Sequence, residues 1–334
     1  MTDLTNAEKK LLHDIYYDYK HPASFSSSKM LYNAAKKKNR LITIKKVLTF
    51  LQGQQTYTLH KLARKRFARR KTVVRRIHQQ LQTDLIDISA LKAENKNFTF
   101  LLTATDVLTR FSWAFPLLNK TGAEVVKAFK KILVSALRRV PGRPVRSIQS
   151  DRGKEYYNKT FKEFCQTNKI SHFSTFSDTK CAISERFNRT LQDRLHKYFT
   201  ASNSLTYVKV LKDIVNAINH KRHPALGMAP YDTSLANEHQ IYDRQFAKYF
   251  KEKMKAMKFK VGDKVRISKY RGIFQKGYLA SFNKEIFVVS KVLETRPPTY
   301  KIMDSKKEVL RGAFYASELM HVRQIGSFGT ISEQ

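Results

Sequence analysis

The spacing of apolar residues changes character twice along the chain. Up to about residue 80 they recur at helical intervals. LTNAEKKLLHDIYYDYK predicts a first helix, stopped by His21-Pro22; SSSKMLYNAAKKK predicts a second, opened by a serine cap; LITIKKVLTFLQGQ predicts a third, ended at Gly53. From Leu81 the interval drops to two. LQTDLIDIS, FTFLLTATDVL and RFSWAFPLL read as three closely connected strands, rich in branched side chains. TGAEVVKAFKKILVSALRR then predicts an amphipathic helix ended by Pro141-Gly142, RPVRSIQSD a buried strand, NKTFKEFCQTNK a helix and SHFSTF a strand. Two more helices are expected, from Ala182 to about Phe199 and over SLTYVKVLKDIVNAINHKR. This order predicts a mixed α/β sheet with helices on both faces. After a basic helix, FAKYFKEKMKAMKFK, the pattern returns to short strands with Gly, Pro and Asn/Asp turns, as in a small barrel.

Charge adds a partner to this picture. The chain has 334 residues and a formal net charge of +37, which calls for a polyanion, and nucleic acid is the usual one. Residues 1–80 hold 19 Lys+Arg against 4 Asp+Glu, so the flank rather than the middle is the richer DNA-holding surface. The three N-terminal helices and the basic stretch after them resemble a helix-turn-helix unit, with Arg64, Lys65, Arg66, Arg69 and Arg70 as candidate DNA contacts. The expected organisation is a helical DNA-binding region over 1–75, a catalytic core over 76–235, a basic linker helix over 236–258, an SH3-like barrel over 259–324 and a tail over 325–334. Two cysteines, Cys165 and Cys181, exclude a disulfide framework and favour a reducing compartment. No apolar run is long enough for a membrane span, and the expected location is the nucleus, with the DNA.

Three acids carry the candidate chemistry. Asp84 lies mid-strand between Leu81 and Leu85, where a carboxylate is costly unless paired or metal-bound. Asp151 ends an apolar strand, at the edge where α/β sheets open their clefts, and Gly153 lets the chain turn away. Glu185 falls in the first turn of a helix, with Asn188, Arg189 and Gln192 one turn or two further on as candidate DNA-gripping groups. Converging, the three acids would hold divalent metal, two Mg²⁺ or Mn²⁺ ions, for in-line displacement at a phosphodiester. Asp87 on the same strand competes with Asp84; Asp106 precedes a turn; Glu155 reads as a solvated acid or one behind the ligands. His13, His21, His60 and His78 have no cysteine near them, so no zinc site is expected.

QTDLIDI, TDVLTRFSWAFPL, SDRGKEYYN and SERFNRTLQ together resemble the catalytic core of retroviral-type integrases, with Asp84, Asp151 and Glu185 on the three positions of its D,D,E pattern. The element order is the ribonuclease-H-like one. NHKRHPALGMAPYD resembles the segment closing that core, and KFKVGDKVRI through AFYASEL the C-terminal barrel of the integrases of Maverick/Polinton DNA transposons, as do PASFSSSKMLYNAA and TYTLHKLARKRF their N-terminal region. Phe282 stands where that branch leads one to expect tryptophan. The Asp151–Glu185 interval is slightly shorter than the retroviral one, a change that costs a loop little. The resemblance implies DNA 3′-end processing and strand transfer, by a homo-oligomer, a dimer or tetramer on paired element ends. A catalytically silent DNA-binding descendant and a ribonuclease-H-like nuclease are the alternatives.

Overall fold

Local capping chemistry sets where the N-terminal helices begin. The computed structural model describes residues 4–64, 67–174, 181–252, 254, 256–269 and 278–323. Thr5 caps α1 (Asn6–Tyr17) in a reciprocal box with Glu8, Ser27 caps α2 (Ser28–Lys38), and Thr43 caps α3 (Ile44–Gln52). A short fourth helix, α4 (Gln55–His60), lies in the stretch read as the start of the basic extension. Leu12, Ile15, Leu31, Val47 and Leu51 form the core of this bundle.

The chain divides into two compact units, one over 72–253 and one combining 1–71 with 254–334. The central unit is built on a five-stranded sheet: β1 (Leu81–Asp87), β2 (Phe100–Asp106), β3 (Ser112–Leu117), β4 (Ser147–Ser150) and β5 (Ser171–Ser174), in the order β3-β2-β1-β4-β5. The first three strands run antiparallel; β4 and β5 run parallel to β1. Period-two alternation sorts side chains between the faces. Leu81, Leu102, Ala104 and Ile148 pack against α5 (Gly122–Arg139) and α6 (Lys159–Thr167) through Phe129, Ile132, Phe161 and Phe164. On the opposite face Ile86 and Leu101 meet α7 (Ala182–Ser202) and α8 (Leu211–Asn219) through Phe187, Leu191, Leu195 and Val215.

Two expectations change here. The helix read over 204–222 starts only at Leu211, because Asn95 claims the preceding backbone: its Oδ1 accepts from the amides of Tyr207 and Val208, and its Nδ2 donates to the Leu205 carbonyl. The basic linker helix is α9 (Glu238–Lys251), and it belongs to the central unit, burying Ile241 and Phe246 beside Val74, Leu108 and Leu226.

In the other unit, β6 (Lys264–Ile267), β7 (Phe287–Leu293), β8 (Thr299–Met303), β9 (Phe314–Tyr315) and β10 (Leu319–His321) form an antiparallel sheet in the order β10-β6-β7-β8-β9. Phe259, Val265, Val289, Tyr300 and Ile302 fill its core. The amides of Ser281 and the buried Phe282 both donate to the Leu59 carbonyl at the end of α4, and Arg323 donates to Gln52, so the helices and this sheet share hydrogen bonds. Among the described residues no helix is long and apolar enough to cross a membrane. The tail over 325–334 lies outside the described residues.

Candidate active site

The two aspartates are brought level by strand register. β1 pairs with β4 in parallel at Leu81↔Ile148 and Gln82↔Gln149; two residues further along, Asp84 stands opposite Asp151, just past the end of β4. Neighbouring strands lie about 4.8 Å apart. There β4 ends: Asp151 Oδ1 accepts from the Gly153 amide at 3.1 Å, which turns the chain away from the sheet.

The third acid is positioned from the same strand. The residue before α7, Cys181, makes no side-chain cap bond to the helix, and its thiol donates instead to the Gln149 carbonyl. Gln82 of β1 supplies the cap: its Oε1 accepts from the amides of Ile183 at 3.0 Å and Ser184 at 3.4 Å. Its Nε2 donates to Gln149 Oε1, which also accepts from Gln80. Glu185 therefore enters the first turn of a helix fastened to β1. One turn on, Asn188 Nδ2 donates to Asp84 Oδ2 at 2.8 Å, while Asp84 Oδ1 accepts from the Leu85 amide.

Asp84 is pushed up to about 6. Burial is the main cause, and the negative charges of Asp151 and Glu185 add to it, against the stabilising donation from Leu85 and Asn188. Both partners are thus near enough to repel it. Tyr156, buried beside the same acids with its hydroxyl on Thr83 Oγ1 at 3.2 Å, is held well above the usual phenol range by burial. In a chain with 64 Lys+Arg, none of the three acids forms an ion pair among the described residues. Coupled, unneutralised carboxylate oxygens are the donor set a hard divalent cation takes. The coupling runs from Asp84 to each of its two neighbours; among the described residues no three His, Cys, Asp or Glu side chains gather as a ready-made cage around one ion.

The other candidate residues sort themselves by what they touch. Asn188 was expected to grip DNA, but it is buried and its amide nitrogen is committed to Asp84. Arg189 and Gln192 are exposed on α7. Arg64, Arg69 and Arg70 belong to the other compact unit and are exposed; Arg69 lies 5.0 Å over the Phe67 ring, and the Arg70 amide donates to the Tyr315 hydroxyl. Lys65 and Arg66 lie outside the described residues. Asp87, three residues along β1 from Asp84, falls on the other side of the pleat; it is exposed and receives the Ser89 amide. Asp106 is buried and organises a turn, accepting from the amides of His78, Leu108 and Thr109 and from the Thr109 hydroxyl. Sequence reasoning passed over Gln82 and Gln149. Their signal was a glutamine placed where an apolar strand should continue.

Residues 74–175 match the family model described as Integrase core domain, a span that includes Asp84 and Asp151 and ends before Glu185. The matched span begins before β1 and takes in β1 to β5 of the central unit. Among curated proteins, the chain is 37% identical over 205 residues to a transposon-derived protein of Caenorhabditis elegans, covering 60% of this chain and 66% of that one. It is 30% identical over 132 residues to a Ty1 transposon Gag-Pol polyprotein of Saccharomyces cerevisiae, covering 39% of this chain and 7% of the polyprotein. The chain thus spans under two thirds of the first relative and a small fraction of the second. Among solved structures, it shares its fold with a chain of the simian T-cell lymphotropic virus intasome, at a TM-score of 0.58 and 16% identity, over 87% of this chain and 95% of that one. The five-stranded mixed sheet lies within the span that matches the family model, and the fold is shared with the viral chain.

Proposed function

We propose that the protein is a transposon integrase that processes the 3′ ends of its element and joins them to target DNA, with Asp84, Asp151 and Glu185 as the catalytic acids. The observation that carries this reading is the state of Asp84: a half-buried carboxylate, level with Asp151, repelled by both other acids and neutralised by no cation among the described residues. Mg²⁺ or Mn²⁺ at this site, in a two-ion arrangement, would supply activation of the attacking hydroxyl and neutralisation of charge on the phosphate. The chain's own residues do the rest. Gln82 and Asn188 hold Glu185 and Asp84 in place from opposite directions. Arg189 and Gln192, exposed just beyond Glu185, steady the DNA backbone.

In the same reading the N-terminal helices act as a helix-turn-helix-like module and the C-terminal sheet as an SH3-like barrel, both gripping DNA with their surplus of positive charge. The enzyme works as a homo-oligomer on paired element ends, in the nucleus, and its kin are the Maverick/Polinton integrases. The retroviral chain of similar fold comes from an intasome, which supports action as an assembly.

The test is strand transfer with element-end DNA and Mg²⁺. Asp84→Asn, Asp151→Asn and Glu185→Gln each reduce joined products to background while DNA binding persists. Near-normal joining by any of the three overturns the site. Binding without products from the wild type points to a silent descendant, and nicking of RNA–DNA hybrid alone to a nuclease.

A further inference from the structure

A second cluster of charge, of opposite sign, lies on the central unit. The start of α7, the turn between β2 and β3, and the segment after α8 enclose a cavity of about 180 Å³. Arg110, Arg186, Lys221, Arg222 and His223 line it, and no acidic residue does. Among the described residues none of these cations forms an ion pair.

The groups are oriented rather than scattered. Arg110, at a φ of 60°, donates to the Val107 carbonyl and to Gln245 Oε1. Arg222 Nε donates to the Gly227 carbonyl at 3.0 Å. His223 Nδ1 accepts from the Ala225 amide at 3.2 Å, which leaves the proton of the neutral ring on Nε2 as a donor. Burial and then the charges of Arg110 and Arg186 push His223 down to about 4. Thr105 and Ser112 also line the wall, with their hydroxyls engaged by each other at 2.9 Å and by the Arg110 carbonyl at 3.1 Å.

We propose that this cavity is a phosphate-binding site. Guanidinium groups, an ammonium and an imidazole N–H lining one small space suit a tetrahedral oxyanion. The space is below the range of about 300–1,000 Å³ typical of drug-sized ligands, so the occupant is a single phosphoryl-type group, free or projecting from a larger molecule. The site is distinct from the three acids and does not depend on their chemistry.

The experiment follows the histidine imidazole signals of the full chain by NMR while inorganic phosphate is added in a buffer free of other oxyanions; His223→Gln identifies the His223 signal. In the wild type and in Asp84→Asn alike, the His223 signal moves and saturates with phosphate. The double variant Arg186→Gln, Lys221→Gln alters two exposed side chains, and its unchanged melting temperature without phosphate shows that it folds. It binds phosphate about tenfold more weakly. A His223 signal that phosphate leaves in place, or a double variant that responds like the wild type, overturns the proposal. A short duplex then separates the sources. Loss of the phosphate response in its presence assigns the site to a DNA backbone phosphate, and retention assigns it to a free anion.

Discussion

Asn188 Nδ2 donates to Asp84 Oδ2 at 2.8 Å, tying the second turn of α7 to the middle of β1. The bond favours the charged carboxylate, so it works against the burial and repulsion that raise Asp84. Asn188→Leu removes it. The Asp84 carboxyl then titrates above about 6 rather than near it, and the acidic limb of the strand-transfer pH profile moves to higher pH. A carboxyl-carbon NMR titration of the two proteins checks the direction; a limb that stays in place or moves down contradicts it.

Stability should carry the same signature. Between the ordinary carboxylate range near pH 4 and about 6, the folded protein holds a proton on Asp84 that the unfolded chain has released. Stability is therefore lost as pH rises through that window, and the deficit is complete above it. Asp84→Asn removes the deficit, gaining on the order of 1–2 kcal/mol above pH 6 and little near pH 4, once partial exposure is allowed for. Thermal melts of both proteins at the two pH values measure the gap.

Divalent metal should reverse that order. At neutral pH, Mg²⁺ bound to the folded acids raises the melting temperature of the wild type by mass action, and Asp84→Asn loses most of the response. Equal responses in the two proteins would place the ion elsewhere.

Gln82 offers a cleaner separation of position from chemistry, because it touches neither substrate nor metal in the proposed reaction. Gln82→Leu leaves the Ile183 and Ser184 amides without their acceptor. The expected cost is about 1–3 kcal/mol of stability. Strand transfer falls as well, through a lower kcat with little change in DNA affinity. Denaturant midpoints and steady-state kinetics read the two effects separately.

The basic segment of the N-terminal region makes a prediction about salt. With DNA, log Kd rises steeply with log salt concentration. Replacing Arg69 and Arg70 by alanine lowers that slope by about one for each phosphate that goes unneutralised. A slope that does not change would remove these side chains from the interface.

Much of the central sheet was legible because its strands alternate. Leu81 and Leu85 face one layer of helices while Asp84 and Ile86 face the other, as a period of two requires. Asp84 stood out in the sequence because a charge in an apolar strand needs a reason. What sequence reasoning missed depends on bonds between distant residues. The amide of Asn95 holds 205–208 out of the helix their composition favours. Asn188 looks like any polar residue on a helix until Asp84 is found beneath it. The sharing of hydrogen bonds between Leu59 and the Ser281–Phe282 amides joins segments more than two hundred residues apart, and no local pattern announces it.

Gln82 precedes Asp84 by two positions on one strand, so a single short segment presents Asp84 and also fastens the helix that bears Glu185. The number of residues strung between Asp151 and Glu185 is then not what sets their separation. Length changes confined to the stretch between β5 and α7 then leave Glu185 in place, provided that a side chain at position 82 still reaches two amides.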